Sequence, residues 1–571
     1  MKFTLLATLA LASSALSAPF VIYKRDDTYA PHKCVPQTSA TVSASATPSA
    51  TPVAYPKKVT ILHTNDIHAR LDQFDNKYGS DCARNATTGA LTAPDRCVGG
   101  VARIKRTVDD IRANNSHTLL FDAGDQFQGT LFFTVFGGSK SAEVMNSMKY
   151  DVMTIGNHEF DRGEQYAAEF FKNLTFPVVS ANTNLDQAKY LKAAGVVPYT
   201  IIKKYNLGVI GFITNTTASI TNNLGIDFPD PVKPVQAVVD QLHAQGINRI
   251  ICVSHNGYAD DKWLASQTHG INLIVGGHSH SLLLKNLSLP GVEGAYPSRV
   301  TNLNGDDTFV VQAHRYGDYL GKIDIEWDDN DHLVSLVGDP IYLTQDLPVD
   351  KELAGKVADW TKAFNVFTST VFGVADGDFT QTGCYNGECS LGDLVADSML
   401  DSVKDQGVSI AITNAGGLRA SIPAGKVTYS TVLTVLPFGN VLVNFDYTGA
   451  QIRHMLERAY ITQTDVNSGL APANDVMISP PQWAGIKSTH DSTRPPYQRV
   501  LTLQVKTDAG FVDLDDTKTY KMVCNDFMIT GGDRIIVPGI KDFVLGNVMA
   551  DVLGAYIQKL GHVAPVLEGR W

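Results

Sequence analysis

The chain is short of positive charge. Its 47 Lys and Arg stand against 58 Asp and Glu, for a formal net charge of −11. General nucleic-acid binding relies on a basic surface, so that class is excluded. A small anionic substrate is not, because metal cations and a few arginines can reverse the field inside a cleft. Past the first dozen residues no apolar stretch is long enough to cross a bilayer. The C-terminal run from Gly561 to Trp571 lacks the hydrophobic tail of a lipid-anchor signal. No repeat with a period of 20 to 50 residues is evident, which removes solenoids and propellers. What is left is an ordinary globular composition in 571 residues, enough for two or more domains.

The N-terminus reads as an address. Lys2 precedes an apolar run from Phe3 to Ala12, and Ala15 and Ser17 allow cleavage before Ala18. Residues 1–17 thus have the layout of a secretory signal peptide. Residues 18–56 read as a pro-segment, ending at the dibasic Lys24-Arg25, and a Ser/Thr/Pro-rich spacer that cannot bury a core. The expected location is extracellular or at a cell wall. Seven cysteines in a secreted chain point to some disulfides and one leftover thiol. Cys82/Cys97 and Cys384/Cys389 are local candidates, Cys252 reads as a buried thiol, and Cys34 and Cys524 have no assignable partner. Glycosylation sequons occur at Asn85, Asn114, Asn173, Asn215 and Asn286.

From Lys57 onward, buried strand patterns alternate with amphipathic helices. Strands are expected at Val59–Leu62, Thr118–Phe121, Val152–Ile155, Leu207–Ile213, Arg249–Val253 and Ile271–Val275. Val101–Ile111 reads as a helix, with apolar residues at 101, 104, 108 and 111. Val310–Gln312 and Lys322–Trp327 alternate and look antiparallel. A linking helix is expected over Asp350–Phe364, and a fresh α/β pattern follows it.

Clusters of metal-ligand residues follow several of these strands: Asp66-Ile67-His68, Gly124-Asp125, Gly156-Asn157-His158, His255 and Gly277-His278-Ser279-His280. A strand ending in Asp-x-His offers a carboxylate and an imidazole on one side. Each piece alone is weak, but their ordered arrival at strand ends beside glycines is not easily incidental. Together they predict a two-metal hydrolytic site, with ions about 3.5–4 Å apart. Asp66, His68 and His280 would hold one ion, Asn157, His255 and His278 the other, and Asp125 would bridge them. Mixed N/O donors fit Zn, Mn, Fe or Co. His158 is left over. Asp161, three residues on, can keep its imidazole protonated for work on a leaving oxygen.

The segments Thr64–Arg70, Gly124–Thr130, Gly156–Asp161 and Gly276–His280 resemble the signature motifs of the secreted 5′-nucleotidases, calcineurin-like metallophosphoesterases of fungal type here. The resemblance covers nearly everything after Lys57. It implies a four-layer α/β/β/α metallophosphoesterase domain at 57–345, a linker helix at 346–368, and a second α/β nucleotide-binding domain at 369–571. It also implies a dinuclear, typically zinc, centre with the ligand sets above, and His158 with Asp161 as the catalytic dyad. In the second domain Phe438 and Phe527 match a base-stacking pair, Asp533 a ribose ligand, Asn414 a base contact, and Arg419 a phosphate contact. Gly416 and Gly417 let backbone approach the ligand. Arg70 matches a further phosphate position. Two departures stand out: His280 occupies a place often held by Gln or Asn, and Tyr385 one that can hold arginine in animal ecto-enzymes.

The expected activity is removal of the 5′-phosphate from AMP-like nucleotides, giving nucleoside and phosphate. Alternatives are a 2′,3′-cyclic-nucleotide phosphodiesterase or UDP-sugar hydrolase on the same fold, or a non-catalytic surface interaction protein. Expected partners are a nucleotide substrate and two divalent cations, with no nucleic-acid polymer, membrane span or lipid anchor.

Overall fold

Alternate residues of the strand Lys58–Thr64 serve two different cores. Val59 and Ile61 join one buried cluster and Leu62 the other. Thr118–Asp122 repeats the pattern, with Leu119 and Phe121 on one side and Leu120 on the other. A strand buried on both faces must sit in an inner layer. The computed structural model describes residues 55–571 apart from 83–89, 222–224, 365–366, 368–369 and 541–542. The leader, the spacer up to residue 54, Cys34 and Asn85 lie outside the described residues.

The first sheet runs in the order Leu333–Gly338, Tyr319–Trp327, Lys58–Thr64, Thr118–Asp122, Val152–Thr154, Val178–Val179. The second runs Ser298–Thr301, Asp307–Val311, Leu273–Val275, Arg249–His255, Leu207–Ile213, Tyr199–Ile202. Their facing sides share one apolar cluster that includes Ile61, Phe121, Val209, Phe212 and Ile251. Helices Val101–Asn114, Ser139–Met148, Glu164–Lys172 and Lys351–Thr361 cover the outer face of the first sheet through Ile104, Met145, Phe170 and Val357. Val232–Ala244 and Tyr258–Gln267 cover the second through Val239, Leu242 and Leu264. The result is an α/β/β/α stack. Helix Lys351–Thr361 starts where the Asp350 side chain accepts from the Leu353 N–H at 2.8 Å.

Strand direction departs from expectation in one place. Tyr319–Trp327 is antiparallel to Lys58–Thr64, but Asp307–Val311 is parallel to Leu273–Val275 and antiparallel only to Ser298–Thr301. Alternation reports which face is buried and says nothing about the direction of the neighbour.

In the second half, a five-stranded mixed sheet runs Pro481–Ala484, Ile410–Asn414, Thr519–Asn525, Val441–Thr448, Phe543–Val548. Helices Ser390–Val403 and Met549–Leu560 pack on one face, and Gly449–Ala459 on the other. Cys82 is bonded to Cys97 and Cys384 to Cys389, while Cys252 and Cys524 are buried free thiols. None of the helices among the described residues is long and apolar enough to cross a membrane.

Candidate metal centre and adjoining cavity

The strands Lys58–Thr64, Thr118–Asp122 and Val152–Thr154 are mutually parallel, so their C-terminal ends lie side by side. Asp66, Asp125 and Asn157 follow those ends directly. His255 closes the strand Arg249–His255, and His278 and His280 follow its parallel neighbour Leu273–Val275. Ligand-bearing turns at the carboxyl ends of parallel strands are where α/β sheets place their sites.

These turns hold unusual backbone. Asp66 (φ 51°), His68 (51°), Asp125 (58°), His278 (73°) and His280 (54°) are all left-handed. That conformation is costly for non-glycine residues and persists only where surroundings over-determine it. Here the turns clamp one another: Asp66 N donates to Gly124 O at 3.0 Å, and His68 N to Asp125 O at 2.9 Å. Gly124 has φ +88°, and a Cβ there would stand 2.6 Å from Gly156 N, so the two turns meet backbone to backbone.

The donor atoms converge. His68 Nε2 lies 3.1 Å from His280 Nε2, and His280 Nε2 lies 3.3 Å from Asp66 Oδ1. Asp125 Oδ2 lies 3.2 Å from His255 Nε2 and 3.7 Å from His68 Nε2. Asn157 Oδ1 is 3.1 Å from His255 Nε2. Donors of Asp66, His68 and His280 group together, as do those of Asp125, His255 and His278. Asp125 also groups with His68 and His158, so it stands between the two sets. The second ring nitrogens are already occupied: His68 Nδ1 is 3.1 Å from Phe127 O, and His255 Nδ1 is 2.7 Å from Ala123 O. That leaves the Nε2 atoms aimed inward, the arrangement metal-binding histidines show. Burial opposes a charged His255, yet Asp125 and Asp66 outweigh it and push its pKa up to about 10. A cation in the cage would supply the positive charge those carboxylates demand. The residues present fit two divalent ions.

One supporting residue carries no role in the sequence reading. Glu159 is fully buried and its carboxylate accepts from the N–H groups of Gly156 (2.7 Å), Gln126 (2.8 Å), Asp125 (3.0 Å) and Phe127 (3.1 Å). It ties the Asp125 turn to the Asn157 turn. Burial, with the neighbouring Asp125, pushes its pKa up to about 7 against those donors. The only signal in the sequence is an acid directly after Gly-Asn-His, which otherwise reads as a surface residue.

His158 lies beside the cage. Its Nδ1 is 2.9 Å from Asp161 Oδ2, and its backbone N donates to Asp125 Oδ1 at 2.9 Å. Burial would lower the imidazole pKa, but Asp161 and Asp125 raise it above the ordinary value. Across a cavity of about 640 Å³, Phe438 from the second half stacks on the His158 ring at 5.6 Å. Asp125, Asn157, His158, Asp161, His278 and His280 line that cavity from one half. Asn414, Gly416, Gly417, Arg419, Phe438, Phe527 and Asp533 line it from the other. Asn414 Nδ2 donates to Asp533 Oδ2 at 2.7 Å, and burial pushes the Asp533 pKa up to about 6. Arg419 reaches across, with a guanidinium nitrogen 3.5 Å from His68 Nε2.

Asp66, His68 and His255 sit behind the lining. Arg70 does too: it is buried, with its guanidinium 4.4 Å from the centre of the Tyr316 ring. Tyr316 also has left-handed backbone (φ 60°), and its ring meets those of His68 and His280 edge-on at 5.8 Å. Burial would raise its phenol pKa, but Arg315, Arg419 and Arg70 pull it below the ordinary value. Tyr316 and Arg315 escaped the sequence reading, since His-Arg-Tyr has no motif spacing to mark it.

Residues 59–282 match the family model of the calcineurin-like phosphoesterases, and residues 368–539 that of the 5′-nucleotidase C-terminal domain. The chain is 33% identical to a 5′-nucleotidase of Bos taurus over 545 residues, covering 90% of this chain and 91% of that one. It is 32% identical to a snake venom 5′-nucleotidase of Crotalus adamanteus over 540 residues, covering 90% and 88%. The crystal structure of a 5′-nucleotidase precursor from Thermus thermophilus superposes with a TM-score of 0.80 at 34% identity, covering 90% of this chain and 98% of that one.

Proposed function

The chain belongs to the 5′-nucleotidase family, and we propose from that premise which of its residues perform the chemistry and on what substrate. It is a metal-dependent phosphoric monoester hydrolase that acts on nucleotides. In our reading Asp66, His68, Asp125 and His280 hold one divalent ion, and Asp125, Asn157, His255 and His278 the other. The position of Asp125 between the two donor groups carries this assignment. Zinc suits the imidazole-rich donor set, with Mn, Co or Fe as alternatives. When bound, such a pair activates water and neutralises charge on the phosphoryl oxygens.

The remaining steps fall to side chains. Phe438 and Phe527 bind the base by stacking. Asp533 and Asn414 offer hydrogen-bonding atoms to ribose and base, with their mutual bond giving way to the ligand. Gly416 and Gly417 keep that wall low enough for close approach. Arg419 orients the phosphate, and Arg70 fixes the wall behind it through Tyr316. His158, held by Asp161, stabilises the developing charge and gives its proton to the leaving oxygen. The products are nucleoside and phosphate, with AMP the expected substrate. The division into 57–345 and 369–571, bridged by 346–368, separates these two tasks. Secretion follows from the leader and sequons.

Purified protein with AMP and a divalent cation should release phosphate, and a chelator should abolish release. Absence of phosphate from AMP, ADP, UDP-glucose and cyclic nucleotides alike contradicts the assignment.

A further inference from the structure

One buried cation outside the cavity has no part in that scheme. Arg458 stands in the last turn of helix Gly449–Ala459 and is 4% exposed. Its guanidinium gathers backbone carbonyls from two other segments. Nη2 donates to Arg534 O at 2.6 Å and to Asn474 O at 3.1 Å, and Nη1 donates to Ile535 O at 3.2 Å. Nε lies 3.2 Å from Asp475 Oδ1, which answers the charge. A charge taken out of water persists only where pairing and hydrogen bonds replace the solvent. The planar fork of guanidinium lets one side chain hold two segments at once.

The carbonyls it holds flank Asp533. Asp533 (φ 53°) and Arg534 (φ 56°) are successive left-handed residues, and neither is glycine. Such backbone relaxes unless its neighbours fix it from several sides. Ile478 fixes it from one side, its N–H donating to Asp533 O at 3.0 Å. Arg458 fixes it from the other, through the two carbonyls that follow Asp533. The turn Ala473–Asp475 is drawn into the same clamp by Arg458 and by Arg534, whose Nη1 donates to Ala473 O at 3.2 Å. The Asp533 carboxylate lines the cavity, but Arg458 does not. Whatever Arg458 does for a ligand therefore passes through the backbone of this turn. A carboxylate that accepts from two neighbouring sugar hydroxyls must keep its direction as well as its place, because hydrogen bonds weaken steeply when misaligned.

We propose that Arg458 is a positioning residue for ribose recognition, clamping the carbonyls of Arg534, Ile535 and Asn474 so that the left-handed turn aims the Asp533 carboxylate at the sugar hydroxyls. The inference rests on the reading of Asp533 as the ribose ligand. An arginine that only supports the fold, once removed, weakens every nucleotide alike. An arginine that aims Asp533 weakens only those nucleotides with hydroxyls for Asp533 to take.

The test compares AMP with 2′,3′-dideoxy-AMP, which lacks both hydroxyls, using the full chain with added divalent cation. Wild type, D533A, R458M and R458K are each resolved into kcat and KM. In wild type the missing hydroxyls should raise KM about 10- to 100-fold, and D533A should remove that difference. R458M should raise KM for AMP about tenfold, with kcat within about threefold and KM for the dideoxynucleotide within about twofold of wild type. R458K keeps the charge without the fork and should recover part of the loss. The double variant R458M/D533A should be no worse towards AMP than D533A alone. Equal KM rises for both nucleotides in R458M, or additive losses in the double variant, overturn the proposal and leave Arg458 as support for the fold. If R458M does not fold, R458K carries the same comparison. A D533A variant that discriminates as wild type does overturns the ribose reading of Asp533, and the proposal with it. Calorimetric binding of adenosine against 2′,3′-dideoxyadenosine repeats the comparison without turnover. A chain that hydrolyses neither nucleotide thus contradicts the phosphohydrolase reading, while the isotherms still decide the role of Arg458.

Discussion

The two walls of the cavity are built on opposite principles. On the metal side, Asp66, His68, Asp125 and His255 are at most 2% exposed, and each leaves a parallel strand whose backbone partners fix it. On the nucleotide side, Phe438 is half-buried in a turn and Phe527 half-buried on the one-turn helix Asp526–Ile529, and Asn414 and Asp533 satisfy one another until a ligand competes. Preorganised donors suit chemistry, where an error of an ångström is costly. Adaptable contacts suit recognition, where binding and release must both occur. Substitutions in the first wall should therefore cut kcat, those of the cage residues lowering metal content as well, and those in the second should act mainly on KM.

The largest effect should come from D125A. Removing the shared ligand should lower kcat by on the order of 10³-fold or more and reduce bound metal below two ions per chain, read by mass spectrometry. Retention of both ions would break the comparison at its root. H158A should cost about 10²–10⁴ in kcat while leaving metal content intact, which separates the dyad from the cage. E159A removes the acceptor for four buried N–H groups. It should destabilise the fold by about 2–4 kcal/mol and weaken metal binding about 10–100-fold, seen in thermal unfolding and chelator competition. On the opposite wall, F438A or F527A should raise KM for AMP about tenfold with a smaller change in kcat. A kcat loss equal to that of H158A would show that recognition is as rigid as the cage.

The smallest effect lies at the seam between the walls. Asp378 accepts from Ala424 N, Lys77 Nζ and Tyr78 Oη, each at 2.9 Å, and these donors bring its pKa down to about 2. A carboxyl depressed in the folded state stabilises it above the unfolded pKa, near 3.9. That stability is lost as pH falls from there through about 2. The pair is partly exposed, so D378N should lower Tm at pH 7 by only about 1–2 °C. The gap from wild type should close as pH drops below about 4, and a gap that widened instead would reverse the assigned sign.

The convergence of Asp66, His68, Asp125, Asn157, His255, His278 and His280 was legible because each turn is local: a strand, a glycine and a polar residue within a few positions. The α/β/β/α stack was legible for the related reason that buried strands and amphipathic helices alternate. Long-range placement was not. Arg70 lies in a phosphate-type motif, yet its position against Tyr316 depends on a loop from the far end of the catalytic half. Glu159 looks like any acid near a turn until four N–H groups are seen to surround it. The direction of Asp307–Val311 relative to Leu273–Val275 is set by pairing, which alternation does not encode. In the second half, Asn414 and Asp533 were identifiable through the family motif rather than through any spacing rule. Their mutual bond is visible only in the fold.

Anomalous scattering from crystals grown with a divalent cation tests the central claim most directly. Two peaks about 3.5–4 Å apart, with a carboxylate of Asp125 between them, are the expected result. A single peak, or peaks that do not share Asp125, would contradict the account.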